Sequence, residues 1–311
     1  MLANGTQVNV SSTSYPDLFF AMRGAGSSFG IASAFTFATE PVPTNTVAYT
    51  YFWNFTASEA TDAFTKFQTF VNSGIPAELG GEITLSKGPT PGHVLYLFTG
   101  AYYGNDFNAS VQPYLAVMPS PYNIGLTNGD YIQNLGILAN GQGLNTTGDA
   151  PEPSNRFYAK SLMVPESAPL DNTSISAFLT YLANEGYSTQ SDWFVQMELY
   201  GGSNSAINQV PNNQTAFVQR DKLFNIQFYA TDFSGPQYPT ADISFVEGMV
   251  ASLTGNEPSS WPFGAYVNYV DDQLTPSEAN ELYYGANYAP LSQLKSQYDP
   301  GNVFSFPTAI Q

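Results

Sequence analysis

The sequence predicts an α+β fold, and three observations carry that expectation. Short runs with period-2 alternation recur through the middle of the chain, and amphipathic stretches of helical period lie between them. Loops rich in Gly, Pro and Asn separate the two kinds of segment. Together they point to a largely antiparallel sheet covered by helices on one face. The chain has 311 residues, 43% of them hydrophobic, enough for a sizeable core in one large or two smaller domains.

Taken in order, the chain opens with a hairpin-like start, a helix entry at Pro16-Asp17, a glycine loop, and an expected strand from Ile31 to Ala38. Pro41 and Pro43 break the pattern and mark a domain boundary after residue 41. Val47 to Phe55 alternates as a strand. Ser58 to Val71 places Ala60, Ala63, Phe64, Phe67 and Phe70-Val71 on one helical face. Further strands are expected over 80–86, 93–103, 157–164, 191–200, 223–231 and 264–270, and helices over 108–117, 128–138, 173–185, 241–253, 276–284 and 288–298. The helix at 276 has the strongest local warrant: Thr275 as N-cap, Pro276 in the first turn and Glu278 form a capping box. Residues 139–155 and 201–216 read as loops, and no internal repeat interrupts the pattern.

Charge and composition exclude several functions. Lys and Arg total 8 against 25 Asp and Glu, a formal charge of −17. So acidic a surface repels phosphate backbones and anionic lipid, so neither nucleic acid nor a membrane is an expected partner. No apolar run approaches the roughly 18 residues of a membrane span. With no Cys there is no thiol nucleophile and no thiolate metal site. Asn-x-Ser/Thr sequons begin at Asn4, Asn9, Asn54, Asn108, Asn145, Asn172 and Asn213. With the low Lys content they suggest a secreted, glycosylated protein. The first residues have neither the basic start nor the apolar stretch of a signal peptide, which fits a chain whose true start lies further upstream.

Three strands carry an unusual polar face. Gln196, Glu198 and Tyr200 alternate with Val195, Met197 and Leu199; Asn225, Gln227 and Tyr229 alternate with Phe224, Ile226 and Phe228; Tyr266, Asn268 and Val270 alternate with Ala265, Val267 and Tyr269. A sheet with one wet face explains any one of them. Wet faces, however, are usually rich in Lys, Glu, Arg and Thr. Amides, Tyr and a single carboxylate suit a pocket for a neutral, hydroxyl-rich or aromatic ligand. Whether the three strands are neighbours is not legible in the sequence.

The segment Asp17-Leu18-Phe19-Phe20-Ala21-Met22-Arg23-Gly24-Ala25-Gly26-Ser27-Ser28-Phe29-Gly30-Ile31 holds a Gly-x-Gly-x-x-x-Gly spacing, not the Gly-x-Gly-x-x-Gly of dinucleotide folds. Glycines there permit close backbone approach and leave amides free to donate. Together with Ala265-Tyr266-Val267-Asn268-Tyr269-Val270-Asp271, Tyr283-Tyr284-Gly285-Ala286-Asn287-Tyr288 and Tyr298-Asp299-Pro300-Gly301-Asn302-Val303-Phe304, this segment resembles the berberine-bridge-enzyme-like branch of FAD-dependent oxidases. The resemblance extends over essentially the whole chain and is most like fungal, carbohydrate-oxidising members. It implies three parts: residues 1–41 as the remainder of a flavin-binding domain, 42–260 as a substrate domain, and 261–311 as a closing module returning to the flavin domain.

The resemblance also implies roles. FAD is the expected cofactor, lined by Gly24, Gly26, Phe29, Gly30, Ile31, Asn268 and Asn287. Tyr266 would remove the hydroxyl proton while a hydride leaves for the flavin, with Glu198 hydrogen-bonded to that Tyr. Gln196, Gln227 and Tyr229 would hold the substrate, a sugar hemiacetal or a secondary-metabolite alcohol, with O2 as electron acceptor. A phenol near pKa 10 is a poor base at neutral pH, and an ionised Glu198 alone would raise it further, but as a hydrogen-bond acceptor Glu198 could share its proton. Family members attach FAD through a His in an upstream glycine-rich segment, often together with a Cys. That segment has no counterpart here, and the only His, His93, matches neither context. A second hypothesis is therefore a non-catalytic remnant or ligand-binding module without bound flavin. A cofactor-free hydrolase has little support, because there is no Gly-x-Ser-x-Gly and no nucleophile partner for His93.

Overall fold

Tyr49, Tyr51, Trp53 and Phe55 point to one side of a single strand, and the apolar face they begin organises the molecule. The computed structural model describes residues 1–139, 156–231 and 240–311. Seven strands, β1 (Thr46–Thr56), β2 (Leu79–Lys87), β3 (His93–Tyr102), β4 (Asn123–Gly129), β5 (Phe157–Pro165), β6 (Asp192–Leu199) and β7 (Lys222–Thr231), form one sheet. Their order is β4-β1-β3-β2-β6-β7-β5, and every neighbouring pair is antiparallel. Helices α2 (Ala57–Asn72), α5 (Asn172–Ser188) and α6 (Thr240–Thr254) pack on one face, and their apolar sides join Ile83, Val94, Val195, Phe224 and Phe228 in the main core. The fold is α+β, as expected.

Local signals start the helices. Thr56 and Glu59 form a capping box at α2, and Asp171 caps α5 through the Ser174 amide at 2.8 Å. The box expected at Thr275 and Glu278 opens α7 (Pro276–Tyr284). A second, smaller core lies apart from the sheet. Leu18 and Ala21 of α1 (Pro16–Met22), then Phe29, Ala265, Tyr283, Tyr284, Ile310 and Leu291 of α8 (Tyr288–Tyr298) fill it. The two ends of the chain thus fold onto each other. Lys295, buried in α8, donates to the Ser28 carbonyl at 2.9 Å, the Asp299 carboxylate at 2.6 Å and the Phe304 carbonyl at 2.8 Å. Asp299 also accepts the Val303 and Phe304 amides, so the Asp-Pro-Gly-Asn-Val-Phe run is a loop wound around one carboxylate.

Three expectations are corrected. Residues 31–38 form no strand, because the only backbone pairing found for them among the described residues is Ile31 with Met1; Phe35 and Phe37 stand 71% and 77% exposed, stacked on each other at 5.9 Å. Residues 264–270 are not a strand either. Only Gly264 bridges the sheet, to Met163 of β5, and the chain then turns, with the Tyr269 amide bonded to the Tyr266 carbonyl. Conversely, the helix expected over 128–138 begins only at Tyr131, as α4 (Tyr131–Leu138), where Asp130 caps the Gln133 amide. The preceding Asn123–Gly129 is edge strand β4, whose Gly and Asn content hid the pairing with β1 that makes it a strand. Residues 201–216 contain no helix or strand. The loop expected over 139–155 falls, apart from residue 139, outside the described residues.

Candidate active site

The face of the sheet opposite the helices is the polar one, and strand register sets its layout. Ser161, Gln227, Gln196 and Thr84 lie in one row across β5, β7, β6 and β2. Asn225, Glu198, Glu82, Thr99 and Thr50 form the next row, across β7, β6, β2, β3 and β1. Above β2, β3, β1 and β4 the face is hollowed into a cleft of about 1030 Å³, with Glu82, Thr84, Ser86, Thr99, Gln196 and Glu198 among its lining residues. Gln196 donates to Glu82 at 2.8 Å, and Thr84 donates to the same carboxylate oxygen at 2.8 Å. Tyr229 lies beyond Gln227 as the middle ring of a stack, 4.6 Å from Phe194 and 5.0 Å from Phe157.

Glu198 is the focus of this face. Its Oε1 accepts the Tyr269 hydroxyl at 2.7 Å and its Oε2 accepts the Asn225 amide at 2.6 Å. Burial pushes its carboxyl above the usual range; the bonds from Tyr269 and Asn225 pull the other way, and nearby Glu82 adds to the rise. Tyr269 is raised as well, first by burial and then by donating to Glu198. The family resemblance implied a bond between Glu198 and Tyr266, but in the structure Glu198 is bonded to Tyr269. A strand would place residues 266 and 269 on opposite faces. The turn instead sets their rings perpendicular at 5.1 Å, with the Tyr266 hydroxyl bonded to the Asn268 amide at 2.8 Å. The signal was the three-residue spacing of the two Tyr, which is legible only once the turn is known.

A clamp from β5 holds this turn. Ser161 accepts the Tyr266 amide at 2.8 Å, while Lys160 pairs with Asp271 at 2.8 Å and with Glu247 of α6 at 2.7 Å. Tyr158 donates to Asp271 at 2.8 Å. Neighbouring residues of one strand thus fix both ends of the segment that carries Tyr266 and Tyr269. Lys160, Asp271 and Tyr158 did not figure among the sequence candidates.

The expected flavin-lining residues divide. A side chain at Gly24, where φ is 134°, would meet the Phe217 backbone at 2.3 Å, so this glycine lets the loop dock on the protein's own 214–217 segment. At Gly30 the close neighbour is the Met1 carbonyl, and the Phe29 ring lies inside the second core. Asn287 spends its amide on the carbonyls of Asn212, Thr215 and Ala216. Toward a flavin the loop offers donors: the Gly24 and Gly26 amides have no backbone acceptor among the described residues, and Ile31 stands exposed beside them. That donor set fits the acceptor-rich phosphates and ring carbonyls of FAD, although Phe29 contributes packing instead of contact.

Residues 265–311 match the family described as "Berberine and berberine like". The carbohydrate oxidase of Microdochium nivale is 31% identical over 100% of this chain, which covers 62% of that protein. For the xylooligosaccharide oxidase of Thermothelomyces thermophilus the figures are 31%, 100% and 61%. A solved chitooligosaccharide oxidase superposes with a TM-score of 0.89 at 30% identity, covering 100% of this chain and 64% of that one. The chain is berberine-bridge-enzyme-like, similar along its whole length to FAD-linked oxidases, and spans about three fifths of the length of the curated relatives it matches.

Proposed function

We propose that this chain carries the substrate-binding and proton-handling part of an FAD-dependent oxidase acting on a sugar hydroxyl, with O2 as the final acceptor. The observation that carries the reading is the Tyr269–Glu198 hydrogen bond at 2.7 Å beside an open polar cleft. Bound FAD would supply the hydride acceptor. Tyr269 takes the proton of the substrate hydroxyl while its own proton passes to Glu198, so no free phenolate is needed. The raised carboxyl of Glu198 suits it to hold that proton. Tyr266, perpendicular to Tyr269 and bonded to Asn268, orients the ring. Gln196, Gln227 and the stacked Tyr229 hold the sugar, as hydroxyl-bonding amides and an aromatic face do. Residues 1–41 and 261–311, joined by the second core, form the side that meets the flavin, and 42–260 the side that meets the substrate. A similar solved structure, a xylooligosaccharide oxidase 31% identical to this chain, is a complex with xylobiose, which supports the sugar reading over an aromatic alcohol.

The test is to mix the purified chain with FAD, dialyse exhaustively and record its visible spectrum. A retained band near roughly 450 nm that xylobiose or cellobiose bleaches is the expected result. A colourless protein that still binds the disaccharide would reduce the role of this chain to ligand binding.

A further inference from the structure

In a chain with 25 carboxylates and 8 basic residues, a partly buried cation should not want for a partner. Four lysines, Lys66, Lys160, Lys222 and Lys295, make every ion pair among the described residues, and no arginine does. Arg220 is the informative case. Its five donors meet one good acceptor, the Thr215 hydroxyl at 2.9 Å, and one distant one, the Ile207 carbonyl at 3.5 Å. Its Nε is buried with none. The guanidinium lies over the Phe217 ring at 4.8 Å, and that ring stands edge-on to Tyr266 at 6.1 Å.

A second cation shares this corner. Arg23, at the start of the glycine loop, donates to the Gln214 carbonyl at 2.7 Å and lies over Phe19 at 4.1 Å, with no carboxylate partner among the described residues. The Arg23 carbonyl also accepts the Phe217 amide at 3.2 Å, so Arg23 holds Gln214 and Phe217 while Arg220 bonds Thr215 between them. Burial pulls the Arg220 pKa down, Tyr200 acts against it and the charge of Arg23 adds to the fall, so the net direction is down for a cation without a carboxylate partner among the described residues. Such an arrangement is unfavourable as it stands and becomes favourable when an oxyanion enters. The planar fork of Arg suits a phosphate or carboxylate oxygen pair.

We propose that Arg220 and Arg23 form a receptor for a small oxyanion at the junction of the glycine loop, the 214–220 segment and the aromatic wall of Phe217, Tyr200 and Tyr266. The same chemistry would serve a phosphate of a bound cofactor or the carboxylate of an acidic sugar. The two sources are separable with simple probes. Titration calorimetry of the full chain, at matched ionic strength, uses inorganic pyrophosphate in one arm and D-glucuronate in the other. Saturable binding of either is expected, weakened about tenfold or more in Arg220→Gln, which removes a charge-assisted bond. Preference for pyrophosphate assigns the phosphate source, and preference for glucuronate the acidic sugar. Should Arg220→Gln fail to fold, the exposed Arg23 tolerates replacement, and Arg23→Gln must weaken binding too. No saturable binding of either probe, or binding that the variants leave unchanged, overturns the proposal. The measurement needs neither flavin nor turnover, so it stands or falls apart from the oxidase reading.

Discussion

Glu198 combines two demands that pull apart. Burial raises its carboxyl, so between the ordinary carboxylate pKa of about 4.3 and its own higher value the native chain binds more protons than the unfolded one. Stability contributed at this site therefore falls as pH rises through that window. The same ionised group is the proton acceptor that the chemistry needs above it. Glu198→Gln can keep both bonds, with its carbonyl accepting from Asn225 and its amide donating to Tyr269. Its expected outcome is a melting temperature at neutral pH equal to or above that of the native chain, followed by calorimetry. In the flavin-loaded protein its rate should be lower about a hundredfold or more, and the acid limb of the rate profile should disappear. A wild-type rate in that variant would remove Glu198 from the mechanism. Tyr269 was missed from the sequence because period-2 alternation set it opposite Tyr266, whereas Gln196, Gln227 and Glu198 were legible because β6 and β7 do alternate.

At the scale of elements, α8 and the loop after it bind the two ends of the chain. Lys295 and Asp299 are 3% and 2% exposed. Burial acts to raise Asp299, but the Lys295 ammonium and the Phe304 and Val303 amides outweigh it, and the net direction is down. Its contribution is present above the unfolded carboxylate pKa and is lost as pH falls through its depressed native value. Lys295→Met leaves that carboxylate buried without its cation and frees the Ser28 and Phe304 carbonyls. The expected cost is about 3 kcal/mol, read from the urea midpoint. A loss below about 0.5 kcal/mol would mean that the second core holds the two ends together without this ion pair. The Asp-Pro-Gly-Asn motif stood out in the sequence only as part of the family resemblance. That Lys295, four residues upstream of its Asp, joins it to the Ser28 carbonyl was not legible there.

For the molecule as a whole, two cores, one under the sheet and one joining the chain ends, leave an apolar strip uncovered. Ile31, Phe35, Phe37 and Val42 stand 59%, 71%, 77% and 64% exposed along the segment after the glycine loop. An uncovered strip of this size marks a contact surface or an aggregation hazard. Replacing both rings, Phe35→Ser with Phe37→Ser, is expected to lower binding of a hydrophobic dye and delay aggregation while shifting stability by no more than about 0.5 kcal/mol. A large fall in the melting temperature would instead show that the strip packs in solution. Among the described residues no helix is long and apolar enough to cross a membrane.

By itself the sequence determined the α+β class, most of the elements, the capping box of α7, the glycine loop and the family, because those features depend on local periodicity and on side-chain type at fixed spacing. The capping box of α2, Thr56 with Glu59, is equally local, although the expected helix start at Ser58 passed over it. Tertiary structure alone decided that Asn123–Gly129 is a strand, that Ile31 to Ala38 is not, and which tyrosine Glu198 holds. Each of these depends on a partner far along the chain, the pairing of β4 with β1 or the clamp of β5 on residues 264–271, and no local pattern encodes where that partner will stand.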